Sequence, residues 1–153
     1  MKKETKVKRY ERIYEQIKEL IAATDNPASR MATINAILHH KFSYYYWTGF
    51  YELIDGELLV GPYQGPVACL KLKKDTGVCW AGINQQETIV VPNVHDFPGH
   101  IACSSASNSE IVVPVWKAGR VVAVLDVDSR ELNSFDEEDR FGLEKIVALI
   151  YQN

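Results

Sequence analysis

The stretch EIVVPVWKAGRVVAVLDVDS, residues 110–129, decides the fold. It reads as two β-strands joined by a tight turn around Ala118-Gly119. In the second strand Val121, Ala123, Leu125 and Val127 point one way, and Val122, Val124, Asp126 and Asp128 the other. The two aspartates therefore share a face, about 7 Å apart. The hairpin register decides where Glu110 lies. A two-residue turn, Ala118-Gly119, pairs Lys117 with Arg120 and sets Glu110 opposite Val127. It needs positive φ at Ala118, which a Cβ disfavours. A three-residue loop, Lys117-Ala118-Gly119, needs positive φ only at Gly119. That register is preferred, and it pairs Glu110 with Asp126.

Glu110, Asp126 and Asp128 then converge on one face. Like charges placed so close destabilise a sheet. Either a cation neutralises them or one acid keeps its proton at pH 7. Both states suit a site that holds an amine and donates a proton. The plainer alternative is a solvated sheet end whose acids face water.

Outward from the hairpin, a last helix starts near Ser134, where Ser134 and Glu137 have capping-box spacing. Leu143, Ile146, Val147 and Ile150 form its apolar stripe. On the N-terminal side, Asp55-Gly56 joins FSYYYWTGFYELI to ELLVGPY, a strong hairpin signal. Two helices precede it. Tyr10, Ile13, Tyr14, Ile17, Leu20 and Ile21 share one face of residues 4–23. Asn26-Pro27 opens the second helix, which carries Met31, Ile34, Ile37 and Leu38. Residues 61–102, with five glycines and four prolines, read as an irregular functional connection. Helices, then strands, then a helix predict an α+β fold with a mostly antiparallel sheet and helices packed on one face. The 153 residues fit one domain. Its N-terminal helices take up about 4–40, sheet and active-site loops about 42–129, and the C-terminal helix about 135–152.

Composition excludes several classes. The net charge of -3 gives no general pull toward nucleic acid, and no apolar run reaches membrane-spanning length. The start MKKETKVKRY is basic without an apolar run behind it, so it is not read as a secretory signal. A cytoplasmic setting is expected, in which structural disulfides are rare. Cys69, Cys79 and Cys103 form no CxxC pair, so no metal ligand set and no cofactor are assigned. His95 and His100 could join the cysteines in an irregular zinc site, or His100 could activate Cys103 for acyl transfer. All three cysteines are read as lying in or beside the irregular connection, a setting where reactive groups concentrate.

The motifs GPYQGPVAC, GVC, VVPNVHDFPGHIAC, SASNSEIVVPV and VLDVDS closely resemble the GAF-domain free methionine-(R)-sulfoxide reductases. The similarity covers nearly the whole chain. It implies a GAF domain with a roughly six-stranded antiparallel sheet, commonly a homodimer. It implies thiol-dependent reduction of free L-methionine-(R)-sulfoxide, with thioredoxin as reductant. By the same resemblance Cys103 is the nucleophile that becomes a sulfenic acid, Cys69 resolves it as a disulfide, and Cys79 assists. Glu110, Asp126 and Asp128 would line the substrate pocket, with Trp47 and Tyr51 as its apolar wall. Two positions depart from the pattern: Trp80 stands where the family usually has glycine, and Ser104 where it usually has aspartate. The competing readings are a non-catalytic GAF module that binds a small regulatory ligand, and a cysteine hydrolase using Cys103 with His100.

Overall fold

The computed structural model describes residues 1–100 and 106–152. Six strands form one antiparallel sheet: β1 (Trp47–Ile54), β2 (Glu57–Gln64), β3 (Lys71–Leu72), β4 (Ile89–Val91), β5 (Ser109–Lys117) and β6 (Arg120–Ser129). Their order is β3-β2-β1-β6-β5-β4, so β6 and its neighbour β1 hold the centre. Helices α1 (Lys3–Ile21), α2 (Pro27–Lys41) and α4 (Glu137–Val147) cover one face, over a core that includes Ile17, Leu38, Phe50, Leu125 and Ile146. The sequence placed β1 from Phe42, but Phe42 ends α2 and the strand begins at Trp47. Among the described residues, no helix is long and apolar enough to cross a membrane.

Local chemistry explains the element ends. The Asn26 side chain accepts from Ser29 N at 2.9 Å, with Pro27 at the first helical position. The expected capping box of α4 is displaced by two residues: Asp136 is the cap and Asp139 its partner. Aspartate caps as well as serine does, and Asp136 sits where the chain turns helical. On α1, Tyr10, Ile13, Ile17 and Ile21 are buried, but Leu20 is exposed.

The irregular connection contains an element that the sequence reading missed. Helix α3 (Gly77–Gln85) lies on the opposite face of the sheet from the other three. It is short, Gly77 and Gly82 lower its helix propensity, and its N-cap Thr76 makes no side-chain cap bond. Packing selects it: Val78, Cys79, Trp80 and Ile83 are buried with Val112 and Val124. A Cβ on Gly82 would come within 2.8 Å of Val112 Cγ1, so glycine lets the helix approach β5. Cys79 is thus on a packed helix, contrary to the loop setting expected for it.

The β5–β6 hairpin corrects the preferred register. Lys117 pairs with Arg120 across a two-residue turn, with φ of 50° at Ala118 and 78° at Gly119. A bulge follows: Trp116 pairs with Val121 and Val115 with Ala123, leaving Val122 as the extra residue. The extra residue reverses the parity that the two-residue turn alone would impose. Glu110 therefore pairs with Asp128, and Val112 with Asp126. The three acids share a face, through a different pairing from the expected one. The same bulge turns Val121 onto the face of Val124, away from Ala123 and Leu125.

Candidate functional site

The strand registers assemble the site. Trp47 pairs with Asp128, Gly49 with Asp126 and Tyr51 with Val124. Directly paired residues project to one face, so β1 delivers its aromatics beside the aspartates of β6. Gly49 keeps that face low. A Cβ there would lie 2.5 Å from the Trp47 ring and 2.3 Å from Tyr63 Cβ. With hydrogen in its place, Trp47 stacks on Tyr51 at 5.7 Å and on Tyr63 at 5.2 Å between ring centroids. Trp47 Nε1 donates to Pro66 O at 3.0 Å, tying the wall to the loop that leads to Cys69.

A cleft opens between this wall and α3. Its lining brings together Trp47, Tyr51, Cys79, Glu110, Asp126 and Asp128, six of the residues singled out in the sequence. Val67 and Ala68 lie at the same cleft, next in sequence to half-buried Cys69. Cys69 is disulfide-bonded, and Cys79 is a free thiol. Cys103 and Ser104 lie outside the described residues. Trp80 is buried against the cleft-side core, where its Nε1 donates to Leu72 O at 3.3 Å. Of the two histidines, only His100 lines the cleft, while His95 Nε2 pairs with Asn108 Oδ1 at 3.0 Å. Burial, then the nearby charge of His95, lowers the pKa of His100 and favours neutral imidazole.

The acids are buried: Glu110 is 5% exposed, Asp126 6%, and Asp128 partly covered. Among the described residues, no lysine or arginine forms an ion pair with any of them. Burial pushes all three carboxyls above their ordinary range. The charge of Asp126 pushes Glu110 and Asp128 further, whereas hydrogen bonds from Glu110, Cys79 and Asp128 pull Asp126 back. Burial thus favours the protonated form across the cluster, and least at Asp126, whose hydrogen bonds oppose it. Among the described residues, nothing donates a hydrogen bond to the buried Asp126 Oδ1. The Cys79 thiol is raised too, first by burial and then by the acids, so it rests protonated.

Sequence reasoning missed one part of the cleft's lining. Thr76, Gly77 and Val78, at the start of α3, line it. The first N–H groups of a helix lack intrahelical partners and carry partial positive charge. The available signal was Thr76 ahead of the helically spaced pair Cys79 and Ile83, hidden by the glycines around it. The cleft thus combines backbone donors at the start of α3, buried carboxyls and aromatic rings in one lining. Such a set of groups can receive the ammonium, the carboxylate and the apolar side chain of a free amino acid.

Comparison with known proteins agrees with the fold and the motifs. A GAF domain family model matches residues 41–152. GAF domain-containing protein A of Dictyostelium discoideum is 45% identical over 150 residues, covering 97% of this chain and 94% of that protein. A free methionine-R-sulfoxide reductase from Escherichia coli (strain K12) is 38% identical over 129 residues, covering 84% and 78% respectively. The X-ray structure of a free methionine-R-sulfoxide reductase from Neisseria meningitidis, in complex with its substrate, superposes with a TM-score of 0.88. It is 38% identical, with 93% of this chain and 86% of that chain covered.

Proposed function

Because the chain belongs to the GAF-domain family of free methionine-(R)-sulfoxide reductases, we propose that it reduces free L-methionine-(R)-sulfoxide to methionine. The observation that carries this reading is the buried acid cluster, without a basic partner, under an aromatic wall. The substrate's ammonium goes to Asp126, the acid least pushed toward its protonated form. Its carboxylate takes the N–H groups at the start of α3. Trp47 and Tyr51 hold the S-methyl end. A peptide-bound methionine has an uncharged amide in place of the ammonium and cannot complete these contacts.

Cys103 is the proposed nucleophile. Its thiolate attacks the sulfoxide sulfur while Glu110 or Asp128, kept protonated by burial, gives a proton to the oxygen. The oxygen ends on Cys103 as a sulfenic acid, the substrate sulfur is reduced by two electrons, and methionine leaves. The Cys69 thiol condenses with the sulfenic acid, releasing water and forming a disulfide. A dithiol reductant, for which we propose thioredoxin, reduces that disulfide by exchange, directly or through Cys79. The disulfide at Cys69 and the free thiol at Cys79 support this division of labour. A cytoplasmic homodimer is the proposed working form.

The test offers the protein both sulfur epimers of free methionine sulfoxide with dithiothreitol, followed by chiral analysis. Consumption of the R epimer alone is expected, with N-acetylmethionine sulfoxide left intact. Cys103→Ser should abolish turnover, and full activity in that variant would overturn its role.

A further inference from the structure

We propose that the cleft is also a binding site for a thiophilic divalent cation of the Zn²⁺ or Cd²⁺ class, held by Cys79, Glu110 and Asp126. The Cys79 Sγ and one oxygen from each carboxylate lie within 4.8 Å of one another. Tetrahedral zinc, with bonds of about 2.0–2.3 Å, sets its ligand atoms about 3.5 Å apart. Side-chain adjustments of roughly 1 Å close that gap. The scaffold is rigid, since Cys79 sits on α3 while Glu110 and Asp126 sit on adjacent strands. All three side chains are buried, with Cys79 5% exposed.

A second observation points to a ligand. Asp126 Oδ1 is buried at the cleft with no hydrogen-bond partner among the described residues. An acceptor left in that state costs about 1–3 kcal/mol, which a bound cation relieves. The thiol decides the class of ion. Calcium and magnesium require oxygen ligands, whereas a thiolate with two carboxylates suits zinc or cadmium. Binding releases the thiol proton and any proton held on Glu110. Three protein ligands leave a fourth position toward the open cleft. The cation sits on the carboxylates, where the substrate ammonium would go, so the two exclude each other. That competition rests on the reductase reading; the cation site itself does not.

Co²⁺ is the probe. The double variant Cys69→Ser/Cys103→Ser leaves Cys79 as the sole thiol. Titrating it with Co²⁺ in thiol-free buffer should bind one equivalent and produce a near-ultraviolet thiolate-to-cobalt absorption. Adding Cys79→Ala should remove the band. Adding Asp126→Asn instead should weaken binding by at least about tenfold. Circular dichroism checks that each variant is folded. In the reduced wild-type protein, Zn²⁺ should slow the first release of methionine, and excess sulfoxide should relieve the inhibition. No band in the sole-thiol protein, or a band that survives Cys79→Ala, overturns the site. Inhibition that substrate does not relieve overturns the competition. A metal-free protein that releases no methionine counts against the reductase reading, and leaves the cobalt titration to decide the site.

Discussion

On the helix-covered face, Asp139 is fully buried with Lys6 Nζ 2.6 Å from one oxygen. Tyr10 and Tyr44 donate to its other oxygen at 2.7 and 2.6 Å. On the cleft face, Glu110 and Asp126 are also buried, but among the described residues no lysine or arginine pairs with them. One sheet thus buries carboxylates in two ways. Where the acid joins α1 to α4 and the segment before β1, the fold supplies each partner itself. Where the acids line a cleft, the partners are missing and burial lifts their pKa values. Buried acids without countercharge are costly, and such groups concentrate where a ligand or a proton is handled.

Single substitutions on the two faces should therefore fail differently. Glu110→Gln keeps the shape and removes a titrating proton. It should lower kcat/KM for free methionine sulfoxide by about 10²–10⁴-fold if Glu110 is the acid. Its melting temperature should stay level or rise, because an uncompensated buried acid is gone. Asp139→Ala should do the reverse. It takes from Lys6 its fully buried partner, leaving the exposed Asp136 carboxylate and Ser134 O, removes the acceptor of two hydroxyls, and should cost about 3–5 kcal/mol of stability in urea titration. The folded fraction should retain its kcat. An active-site defect without unfolding in Asp139→Ala would break the contrast, as would a strong destabilisation in Glu110→Gln.

The pH dependence should differ in sign between the faces. Glu110, raised above its ordinary 4.5 first by burial and then by the charges of Asp126 and Asp128, binds more protons folded than unfolded above that pH. Its contribution is fully present below 4.5 and is lost as pH rises through the raised value. Asp136 behaves oppositely. Partial burial lifts it, but the hydrogen bond and charge of Lys6 outweigh that and hold it below its ordinary 3.8. Its contribution is present above 3.8 and is lost as pH falls. Thermal melts across pH should show Glu110→Gln gaining on the wild type as pH rises. Asp136→Asn, which can still cap α4, should fall behind at neutral pH and draw level in acid. Parallel curves for both variants would remove the distinction.

Much of this was legible in the sequence, for identifiable reasons. The helical stripes of α1, α2 and α4, the Asp55-Gly56 hairpin and the alternation in β6 each follow from a local period or a turn residue. Trp47, Tyr51, Cys79 and the three acids were all named beforehand and line one cleft. Helix α3 was not legible, because tertiary packing of Val78, Trp80 and Ile83 overrides a glycine-rich local preference. With it went the cleft's backbone donors at Thr76, Gly77 and Val78. The role of Cys103 rested on motif resemblance alone.

The register shows the boundary most clearly, and it gives the smallest and sharpest test. Local conformational preference argued against positive φ at Ala118, yet Ala118 adopts φ of 50°. A two-residue turn matches the strand twist, and the bulge at Val122 recovers the parity that the acid face needs. Ala118 stays strained within this arrangement, since a left-handed alanine costs about 1–2 kcal/mol. Ala118→Gly removes that strain but adds unfolded-chain entropy worth about 0.4–1 kcal/mol. The net expectation is a gain of about 0.5–1 kcal/mol, read as a higher denaturant midpoint with an unchanged slope. In a three-residue loop Ala118 would not need positive φ, and the same change would destabilise. The sign of that shift therefore decides whether Glu110 stands opposite Asp128 or opposite Asp126.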